Sequence, residues 1–577
     1  MCGICGRVGT NDPAVIRRMT EKLNHRGPDA ASVNVNHDDQ VEFGHTRLEI
    51  RDLGKKGEQP FETEDSVIVF NGEIYNCPPD MTECGFIDRC HNIGELEGMF
   101  AFAIWHNISK GLCIARDRFG MIPVYYSVVD GGFSFSSEIG SLLEDPRVSR
   151  ELDQDAIELY LTLNYIPAPR TIYKHIKILE PGYSLYWKDD KIEFHKYYEI
   201  EPKSDSLGGL LISSVKDHMV SDVPIGAYLS GGLDSSIITG IMQRFHSSSI
   251  DTYTIGYKDM PMYDETRYAK AVSKHQGTNY NEIMLDSSDV RDIFPEILSK
   301  MDQPFADSSA IPSYILAREV SKHTKVVLSG DGADELFGGY RMYQSLKYES
   351  LLPFVPNILV NICKNLPEGR DNWFTDKIRQ ANKFFSLKRL TPVERYCKMR
   401  EIFSVIERHL LLNNSKYNHL YLNEKRDDYY EQDVLYHDVE GLLHNDMLYK
   451  ANYFSMQHGL EVRTPFLDHR VVEHAFSMPN SEKFNGKKCL VDEFSHLLPD
   501  IVKNRPKKGF EVPISAWFKN ELKDFVASEL NRKTVEKTEI LNWGMVKGLI
   551  FDHWEGYKDN SWKIWNLIVL TNWLNRR

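Results

Sequence analysis

The sequence predicts an α+β fold in the first third of the chain, followed by an α/β region with a parallel sheet and a mainly helical C-terminal part. Residues 1–200 carry short apolar or alternating runs separated by turn clusters, which favours packed antiparallel sheets. From about residue 222 strand-like runs alternate with helical spacing, which favours a parallel sheet covered on both faces. From about Tyr343 onward the spacing is mainly helical. At 577 residues the chain has room for about two to four domains.

Composition narrows the class of protein. Apolar residues make up 42% of the chain and charged residues 26%, which is typical of a soluble globular protein. A net charge of −14 argues against a nucleic-acid partner, because phosphate contacts need clustered Lys and Arg. No secretory signal and no bilayer-length apolar run is seen, so we expect no membrane partner and a cytoplasmic location. The nine cysteines lack framework spacing and indicate free thiols.

The strands of the first third are predicted from their flanking turns. The runs are Ser66–Phe70, Met99–Trp105, Gly111–Arg116 and Gly132–Ser137. The polar, Gly-containing stretch Glu199–Gly209 is the best linker candidate. We therefore predict domains at 1–198 and 210–577 with a linker at 199–209, and within the second domain a parallel sheet over about 222–340 and a mainly helical part over 341–577.

Cys2 is the first candidate for chemistry. If Met1 is removed, Cys2 carries both a thiol and a free α-amine, whose ordinary pKa of roughly 7.7–8.0 lets it accept the thiol proton. This is the arrangement of an N-terminal nucleophile. A cysteine near the start of a chain also occurs by chance, and Cys5 at zinc-ligand spacing has no second pair to complete a metal site.

Two Gly/Asp turns follow predicted strands and resemble each other. They are Ser230–Ser236, reading S-G-G-L-D-S-S, and Ser329–Glu335, reading S-G-D-G-A-D-E. Glycines let main-chain amides converge on a phosphate, and the next helix N-terminus adds partial positive charge. Asp234 and Asp334 are then suitable Mg²⁺ ligands. A lone turn of this kind would be an ordinary helix cap, but two of them at one edge of a parallel sheet predict a nucleotide site.

The order of motifs along the chain resembles the glutamine-hydrolysing asparagine synthetases, in which a class II glutamine amidotransferase is fused to an ATP pyrophosphatase-type synthetase. The matching segments are M-C-G-I at the start, 24–29, 45–48, 71–76, 98–102, 115–117, 165–169, the two turns, 458–468 and 505–510. The resemblance implies an Ntn-type αββα sandwich followed by an α/β ATP pyrophosphatase domain. The region from about 341 to 440 matches only loosely.

In the amidotransferase half the resemblance implies that Cys2 attacks the side-chain amide of glutamine. Asn71 and the amide of Gly72 would form the oxyanion hole, and Arg47 would pair with the glutamine α-carboxylate. The implied glutamine-binding residues are Arg47, Leu48, Glu49, Ile50, Arg51, Asn71, Gly72 and Glu73. Taken singly, Asn-Gly is also a common hairpin turn and an arginine in a strand is usually solvated.

In the synthetase half the resemblance implies that ATP activates aspartate as an aspartyl-adenylate, which ammonia then attacks. Asp331 is a candidate base near the ammonia, and Lys487 would neutralise charge on the phosphate oxygens, unless it is a plain surface lysine. We expect Lys450 and the Arg505–Gly509 loop to be a solvated basic surface. The implied ATP-binding residues are Leu229, Ser230, Gly232, Asp234, Ser235, Ile255, Ser329 and Gly330, with Mg²⁺ on Asp234 and Asp334. The implied partners are small molecules, and the resemblance is compatible with a homodimer.

The sequence departs from the family pattern between Asn76 and Gly98. The acidic segment that receives the α-ammonium of glutamine is absent, the helix expected after it is absent too, and Asp88 is the only nearby substitute. Losing a charged hydrogen bond costs roughly 1.5–3 kcal/mol, so we predict weakened glutamine binding with the chemistry intact.

Gln303 and Val491 replace residues that the family tends to have as Glu and Arg, and we expect both near the synthetase site. They leave the acceptor acid open. Two alternatives follow: a ligase that amidates another carboxylic acid or closes a β-lactam ring, and a binding or regulatory protein whose glutaminase half is a degenerate scaffold.

Overall fold

The computed structural model describes residues 1–258, 260–340, 342–343, 349–369, 373–414, 431–503, 505 and 512–577. Within these ranges the first third is built on antiparallel sheets and the rest on a parallel sheet and helices, so the predicted fold class is confirmed. Among the same residues no helix is both long and apolar enough to cross a membrane.

Two six-stranded antiparallel sheets form the first third. The strands are β1 (Gly3–Val8), β2 (Ala30–Asn36), β3 (Val41–Arg47), β4 (Phe61–Glu62), β5 (Ser66–Ile74), β6 (Gly98–His106), β7 (Gly111–Arg116), β8 (Tyr125–Val129), β9 (Gly132–Ser136), β10 (Lys177–Ile178), β11 (Tyr183–Lys188) and β12 (Lys191–Lys196). The first sheet has the order β10-β8-β9-β1-β3-β2 and the second β12-β11-β7-β6-β5-β4. All four predicted runs are strands.

Period-2 alternation along β5 shows how the layers stack. Val67 and Val69 pack into the core shared with Phe43 of the first sheet, whereas Ile68 and Phe70 face the other way. The helices of this half are α1 (Pro13–Lys22), α2 (Glu83–Arg89), α3 (Ile139–Leu142) and α4 (Gln154–Leu163). Helix α1 packs on β1–β3 and α2 packs on β5, which gives the αββα layering.

Helix α2 corrects the prediction that no helix follows Asn76. Thr82 caps it by accepting a hydrogen bond from the Gly85 amide, and Cys84 and Ile87 bury its inner face against β5. The prediction failed because seven residues are too few to show helical periodicity. The layer covering β5 is therefore present but short.

The second half is organised around one parallel sheet of order β15-β14-β13-β16-β17. Its strands are β13 (Ile225–Tyr228), β14 (Asp251–Tyr257), β15 (Asn279–Leu285), β16 (Val326–Leu328) and β17 (Glu461–Arg463). Helix α5 (Leu207–His218) precedes β13, the helices α6 (Leu233–Phe245), α7 (Thr266–Gln276), α8 (Ser287–Lys300) and α9 (Ala310–Val320) lie between β13 and β16, and α10 (Ala333–Leu336) follows β16. Helix α5 begins inside the predicted linker 199–209, capped by Ser206, so the irregular connection ends there.

The C-terminal part is mainly helical, as predicted. The α-helices are Asn357–Lys364, Trp373–Phe385, Pro392–Arg400, Val405–Leu411, Glu431–His437, Leu448–Met456, His469–Ser477, Asn480–Lys483, Lys488–Phe494, Asp500–Lys503, Ile514–Lys519, Lys523–Glu529, Arg532–Lys537, Trp543–Trp554 and Ser561–Asn575, and a π-helix spans Asp438–Met447. The exception is β17, a three-residue strand that carries two charges and so lacks an apolar strand pattern. It forms one edge of the parallel sheet and lies against the first half of the chain.

Candidate active sites

Cys2 lies in a small cavity between β3, β5 and α2. The cavity is about 50 Å³ in volume, and its wall includes Arg47, Gly72, Glu73 and Glu83. Burial raises the pKa of the Cys2 thiol, and the N-terminal ammonium opposes that effect. The predicted nucleophile is thus half-buried beside charged groups that a small amino acid could contact.

Asn71 and Gly72, the predicted oxyanion-hole residues, lie beside Cys2. The Cys2 amide donates to Asn71 Oδ1 at 2.7 Å, and Asn71 Nδ2 is buried with no hydrogen-bond partner in the described part of the chain. Gly72 has a φ of +140°, and a Cβ there would lie 2.0 Å from the Met99 carbonyl. Only glycine fits at this point of β5. An unused buried donor next to the nucleophile is suited to a developing oxyanion.

Arg47 is held by the loop that follows β3. Its guanidinium donates to the carbonyls of Gly54 and Asp52, the latter at 2.6 Å, and pairs with Glu49 at 3.1 Å. Leu48, Ile50 and Arg51 line the same cavity, whereas Glu49 supports Arg47 from outside it. Of the predicted glutamine-binding residues, all but Glu49 and Asn71 line the cavity, and Asn71 instead accepts the Cys2 amide beside it.

Two acidic side chains face this cavity. Burial raises the pKa of Glu73 to about 7, with Arg463 opposing, and burial together with the nearby Glu73 raises the pKa of Glu83. Glu83 accepts the Ile74 amide at 2.7 Å, and Arg51 Nη1 lies 3.5 Å from both Glu73 and Glu83. Glu73 and Glu83 thus share Arg51, and Glu73 Oε1 also pairs with Arg463 of β17 at 3.1 Å.

Glu83 also corrects the assignment of Asp88 as the nearest substitute acid. Asp88 accepts a hydrogen bond from Ser66 at the far end of β5 and does not line the cavity. Helix α2 turns the Glu83 end, not the Asp88 end, toward Cys2. The sequence offered one signal, since an acid at the first turn after a Thr cap is a regular helix start.

A second cavity, of about 680 Å³, lies at the carboxyl edge of the parallel sheet. The predicted residues that line it are Leu229, Ser230, Asp234, Ser235, Ile255, Ser329, Gly330, Asp331 and Asp334. Gly232 caps α6 beside it, and its amide donates to Ser230 Oγ at 3.2 Å. The two Gly/Asp turns thus meet across one space, as the strand order predicts.

The first turn is braced from the C-terminal part. Gly231 has a φ of +70°, and Arg505 Nη1 donates to its carbonyl at 2.9 Å. The Arg505 guanidinium pairs with Glu265 and stacks 4.0 Å from the Tyr268 ring. The prediction of a solvated surface is therefore wrong for Arg505, while residues 506–509 of the same loop lie outside the described residues.

Lys487 lies between the two predicted metal ligands. Its Nζ is 2.7 Å from Asp234 Oδ1 and 2.6 Å from Asp334 Oδ1, and only 3% of the residue is exposed. A φ of +58° places Lys487 in the left-handed region, which is uncommon for a residue with a Cβ. It is no surface lysine, and backbone strain of this kind clusters at functional sites.

Lys450 corrects a second expectation of a solvated surface. It is largely buried on the wall of the large cavity, where it pairs with Asp307 at 2.7 Å and bonds Ser309. Burial lowers the pKa of Lys450, but nearby carboxylates, Asp307 foremost, raise it above its ordinary value. Asp331 accepts from Ser329 Oγ at 2.8 Å on the same wall. Sequence reasoning missed Asp307, because a single Asp in a loop carries no distinctive spacing.

The large cavity has a floor and a roof of different origin. The floor is formed by the turns after β13 and β16, whereas Arg379, Gln380 and Phe384 of the helix Trp373–Phe385 contribute to the roof. Gln303 instead accepts the Ile172 amide at 3.2 Å and lines a separate small cavity, and Val491 does not line the large one. Neither residue lines the nucleotide cavity, but Val491 lies one turn from Lys487, whose carbonyl accepts the Val491 amide at 3.2 Å.

The donor set fits Mg²⁺ bound together with a nucleotide. No group of three or more His, Cys, Asp or Glu able to hold a metal occurs among the described residues. Magnesium that accompanies a nucleotide needs only one or two carboxylates besides phosphate oxygens, and Asp234 and Asp334 supply two.

Models of two protein families match the two halves of the chain. The family model described as "Asparagine synthase" matches residues 206–575, and the "Glutamine amidotransferase domain" model matches 1–79 and 88–198. The unmatched residues 80–87 include the start of α2 and Glu83. The interruption in the family pattern is therefore the segment that carries this chain's own acid.

Curated relatives cover almost the whole chain. Asparagine synthetase [glutamine-hydrolyzing] 1 of Bacillus subtilis is 32% identical, covering 99% of this chain and 96% of the relative. Asparagine synthetase [glutamine-hydrolyzing] 3 of the same organism is 29% identical over 88% of this chain and 87% of its own length. Amidase chry2 of Gibberella zeae is 24% identical over 90% of this chain and 88% of the relative. The chain belongs to the glutamine-hydrolysing asparagine synthetase family and is a carbon–nitrogen ligase with glutamine as amido donor.

Proposed function

We propose that this ligase converts aspartate to asparagine through an aspartyl-adenylate, with nitrogen from glutamine hydrolysed at Cys2 or from free ammonia. The observation that carries the proposal is the meeting of the two Gly/Asp turns around Lys487, at a cavity that Asp331 and Lys450 also line. Glutamate, AMP and pyrophosphate are the expected co-products.

At the glutamine site, once Met1 is removed, the α-amine of Cys2 accepts the thiol proton and the Cys2 sulfur attacks the amide carbon, with the developing oxyanion stabilised by Asn71 Nδ2 and the Gly72 amide. The α-ammonium then returns this proton to the amide nitrogen, so that the C–N bond breaks and ammonia leaves, and water hydrolyses the thioester to glutamate and the free thiol. Arg47 pairs with the α-carboxylate of glutamine and Glu73 with Glu83 receives its α-ammonium, a proposal supported by the presence of all three side chains on the wall of one cavity.

At the nucleotide site ATP is held by Ser230, Gly232, Asp234 and Ser235 around the pyrophosphate, with Leu229, Ile255, Ser329 and Gly330 along the nucleoside. The aspartate carboxylate oxygen attacks the α-phosphorus and pyrophosphate leaves. Lys487 stabilises the added charge on the phosphate oxygens, and bound Mg²⁺ would supply further charge neutralisation at Asp234 and Asp334. Ammonia then attacks the acyl carbon, Asp331 accepts a proton, and AMP leaves.

A second candidate is amidation of a different carboxylic acid by the same chemistry. The roof of the large cavity favours keeping it, because its Arg379 and Phe384 line the space without belonging to either Gly/Asp turn. The floor, which holds the phosphates, would be unchanged in such an enzyme.

The test is a product assay with ATP, Mg²⁺, aspartate and either glutamine or ammonium, following asparagine and AMP. We expect asparagine from both nitrogen donors, and Cys2→Ala should lose the glutamine reaction by roughly 10³-fold or more while keeping the ammonia reaction. Cys113→Ala, on β7 away from the cavity, is the matched control. AMP formation with another acid but not with aspartate would refute the assignment of the acceptor.

A further inference from the structure

Strand β17 has two charged side chains that are buried. Glu461 and Arg463 are two residues apart and therefore lie on one face of the strand, and both are fully buried. Burying charge is costly unless the charge is paired and hydrogen-bonded. Neither side chain lines the nucleotide cavity, so the chemistry proposed for that site does not explain them.

The partners of Arg463 hold its guanidinium in a fixed orientation. Its Nε donates to Glu461 Oε1 at 2.6 Å, and its Nη1 donates to the carbonyls of His218 at 2.8 Å and Val220 at 2.6 Å. Its Nη2 lies 3.1 Å from Glu73 Oε1, across the boundary between the two halves. The pocket acid Glu73 is therefore paired with a cation supplied by the synthetase half.

The main chain of Arg463 is bonded to the other site. Its carbonyl accepts a hydrogen bond from the Ser329 amide at 2.9 Å, and Leu328 at the end of β16 is its register partner. Ser329 and Gly330 line the nucleotide cavity. One residue thus contacts the nucleotide turn through its backbone and the glutamine pocket through its side chain.

We infer that Arg463 is a positioning residue for glutamine hydrolysis, which holds the Glu73 carboxylate in place and links it to the nucleotide turn at Ser329. The inference rests on the function proposed for the two sites. A nucleotide that orders the Ser329 turn also orders β17, and so lowers the cost of arranging Glu73 for glutamine.

The charges around Glu73 support this role. Burial raises its pKa to about 7, and Arg463 is the largest opposing influence. Arg51 also lowers the pKa of Glu73, and so does the Met1 ammonium, which pairs with Glu461 and is lost once Met1 is removed. Glu461 raises the pKa of Glu73, and Glu73 in turn raises the pKa of Glu83. Without Arg463, Glu73 would take up its proton at a higher pH.

The experiment measures glutamine hydrolysis by the full chain with and without ATP and Mg²⁺, together with ammonia-driven synthesis. In the parent protein we expect ATP to raise kcat/KM for glutamine by about fivefold or more. Arg463→Met should abolish that response, raise the KM for glutamine and move the pH profile of hydrolysis to higher pH. Arg463→Lys should restore part of the response, because it returns the charge without the fork of donors.

Arg470→Met is the matched control. Arg470 pairs with Asp217 and Asp468, and it lines neither the glutamine cavity nor the nucleotide cavity. It should keep the full response to ATP. An unchanged response and pH profile in Arg463→Met, or no response in the parent protein, would overturn the inference.

A variant that removes a buried arginine can fail to fold, and retained ammonia-driven synthesis shows that it has folded. Should Arg463→Met not accumulate, Glu73→Gln tests the same link, since it too should lose the response to ATP; a persisting response overturns the inference. Absence of ammonia-driven synthesis in the parent protein refutes the proposed function instead, and the response of hydrolysis to ATP is still measurable in that case.

Discussion

The nucleotide cavity and the glutamine pocket differ in where their charges come from. In the nucleotide cavity Asp234 and Asp334 lie on turns at the ends of two neighbouring strands, and one lysine joins them. In the glutamine pocket Glu73 is paired with Arg51 from a loop and with Arg463 from a strand of the other half. The acids of the nucleotide site follow from local strand–turn–helix units, whereas the cations that pair with them, like Arg463 in the glutamine pocket, come from residues distant in sequence.

Lys487 tests the nucleotide side of this comparison, and its removal should have the largest effect on synthesis. Lys487→Met should lower both glutamine-driven and ammonia-driven synthesis by roughly 10²–10³-fold, because it removes charge stabilisation at the phosphates. Glutamine hydrolysis in the absence of ATP should change little, since Lys487 is not in that pocket. Steady-state kinetics of the two half-reactions measures both.

The neighbouring lysine provides the control for this change. Lys488 is exposed and pairs only with Asp492 one turn later on the same helix, so Lys488→Met should leave synthesis nearly unchanged. Equal losses in the two variants would mean that the segment, and not the Lys487 charge, is what synthesis requires.

Glu83 tests the glutamine side of the comparison with an intermediate effect. Glu83→Gln keeps an oxygen that can accept the Ile74 amide but removes the negative charge, and should raise the KM for glutamine by roughly tenfold to a hundredfold. Asp88→Asn on the same helix is the control and should leave the KM as it is.

A substrate that lacks the α-amino group shows whether Glu83→Gln acts through the lost charge or through a disturbed pocket. Hydrolysis of glutaramate, which is glutamine lacking this group, should be the same in the parent protein and in Glu83→Gln. If Glu83→Gln impairs glutaramate and glutamine alike, the role of Glu83 is to hold α2 on β5.

The smallest effect expected is on pH dependence. Glu73 has its pKa raised to about 7 by burial, so it is a carboxylate above that pH and loses its charge as the pH falls through 7. Its attraction for the α-ammonium therefore decreases below pH 7, and kcat/KM for glutamine should fall by several-fold between about pH 8 and pH 6. Glutaramate, measured alongside, should lack this descent; a parallel descent would assign it to another group.

The acids of the nucleotide site could be predicted from the sequence more completely than the contacts of the glutamine pocket. The strand–turn–helix units around Ser230 and Ser329 carry their own spacing, so their meeting at one edge was predictable from the order of elements. Lys487 was predictable only through the resemblance, since nothing local marks it as buried. Asn71 and Gly72 belong to a strand whose alternation identified it, but the unused donor on Asn71 became visible only when its neighbours were placed.

The features that the sequence did not show are contacts between residues that lie far apart along the chain. Arg463 lies in a matching motif, but its pairing with Glu73 needs the fold of both halves. Its only local signal is that two charges alternate with Val462 in a short strand, which places both on one face. Helix α2 was missed because its stability comes from a cap and from packing on β5, not from its own seven residues.

The roof over the nucleotide cavity bears on how such enzymes diverge. The floor turns hold groups that every ATP-dependent amidation shares, and a change there would remove activity altogether. The helix Trp373–Phe385 contributes cavity wall without contributing to those turns, so substitutions in it can reshape the space for the acid while the phosphate chemistry persists. Selection can therefore act on acceptor choice and on catalytic competence as two nearly separate traits within one chain.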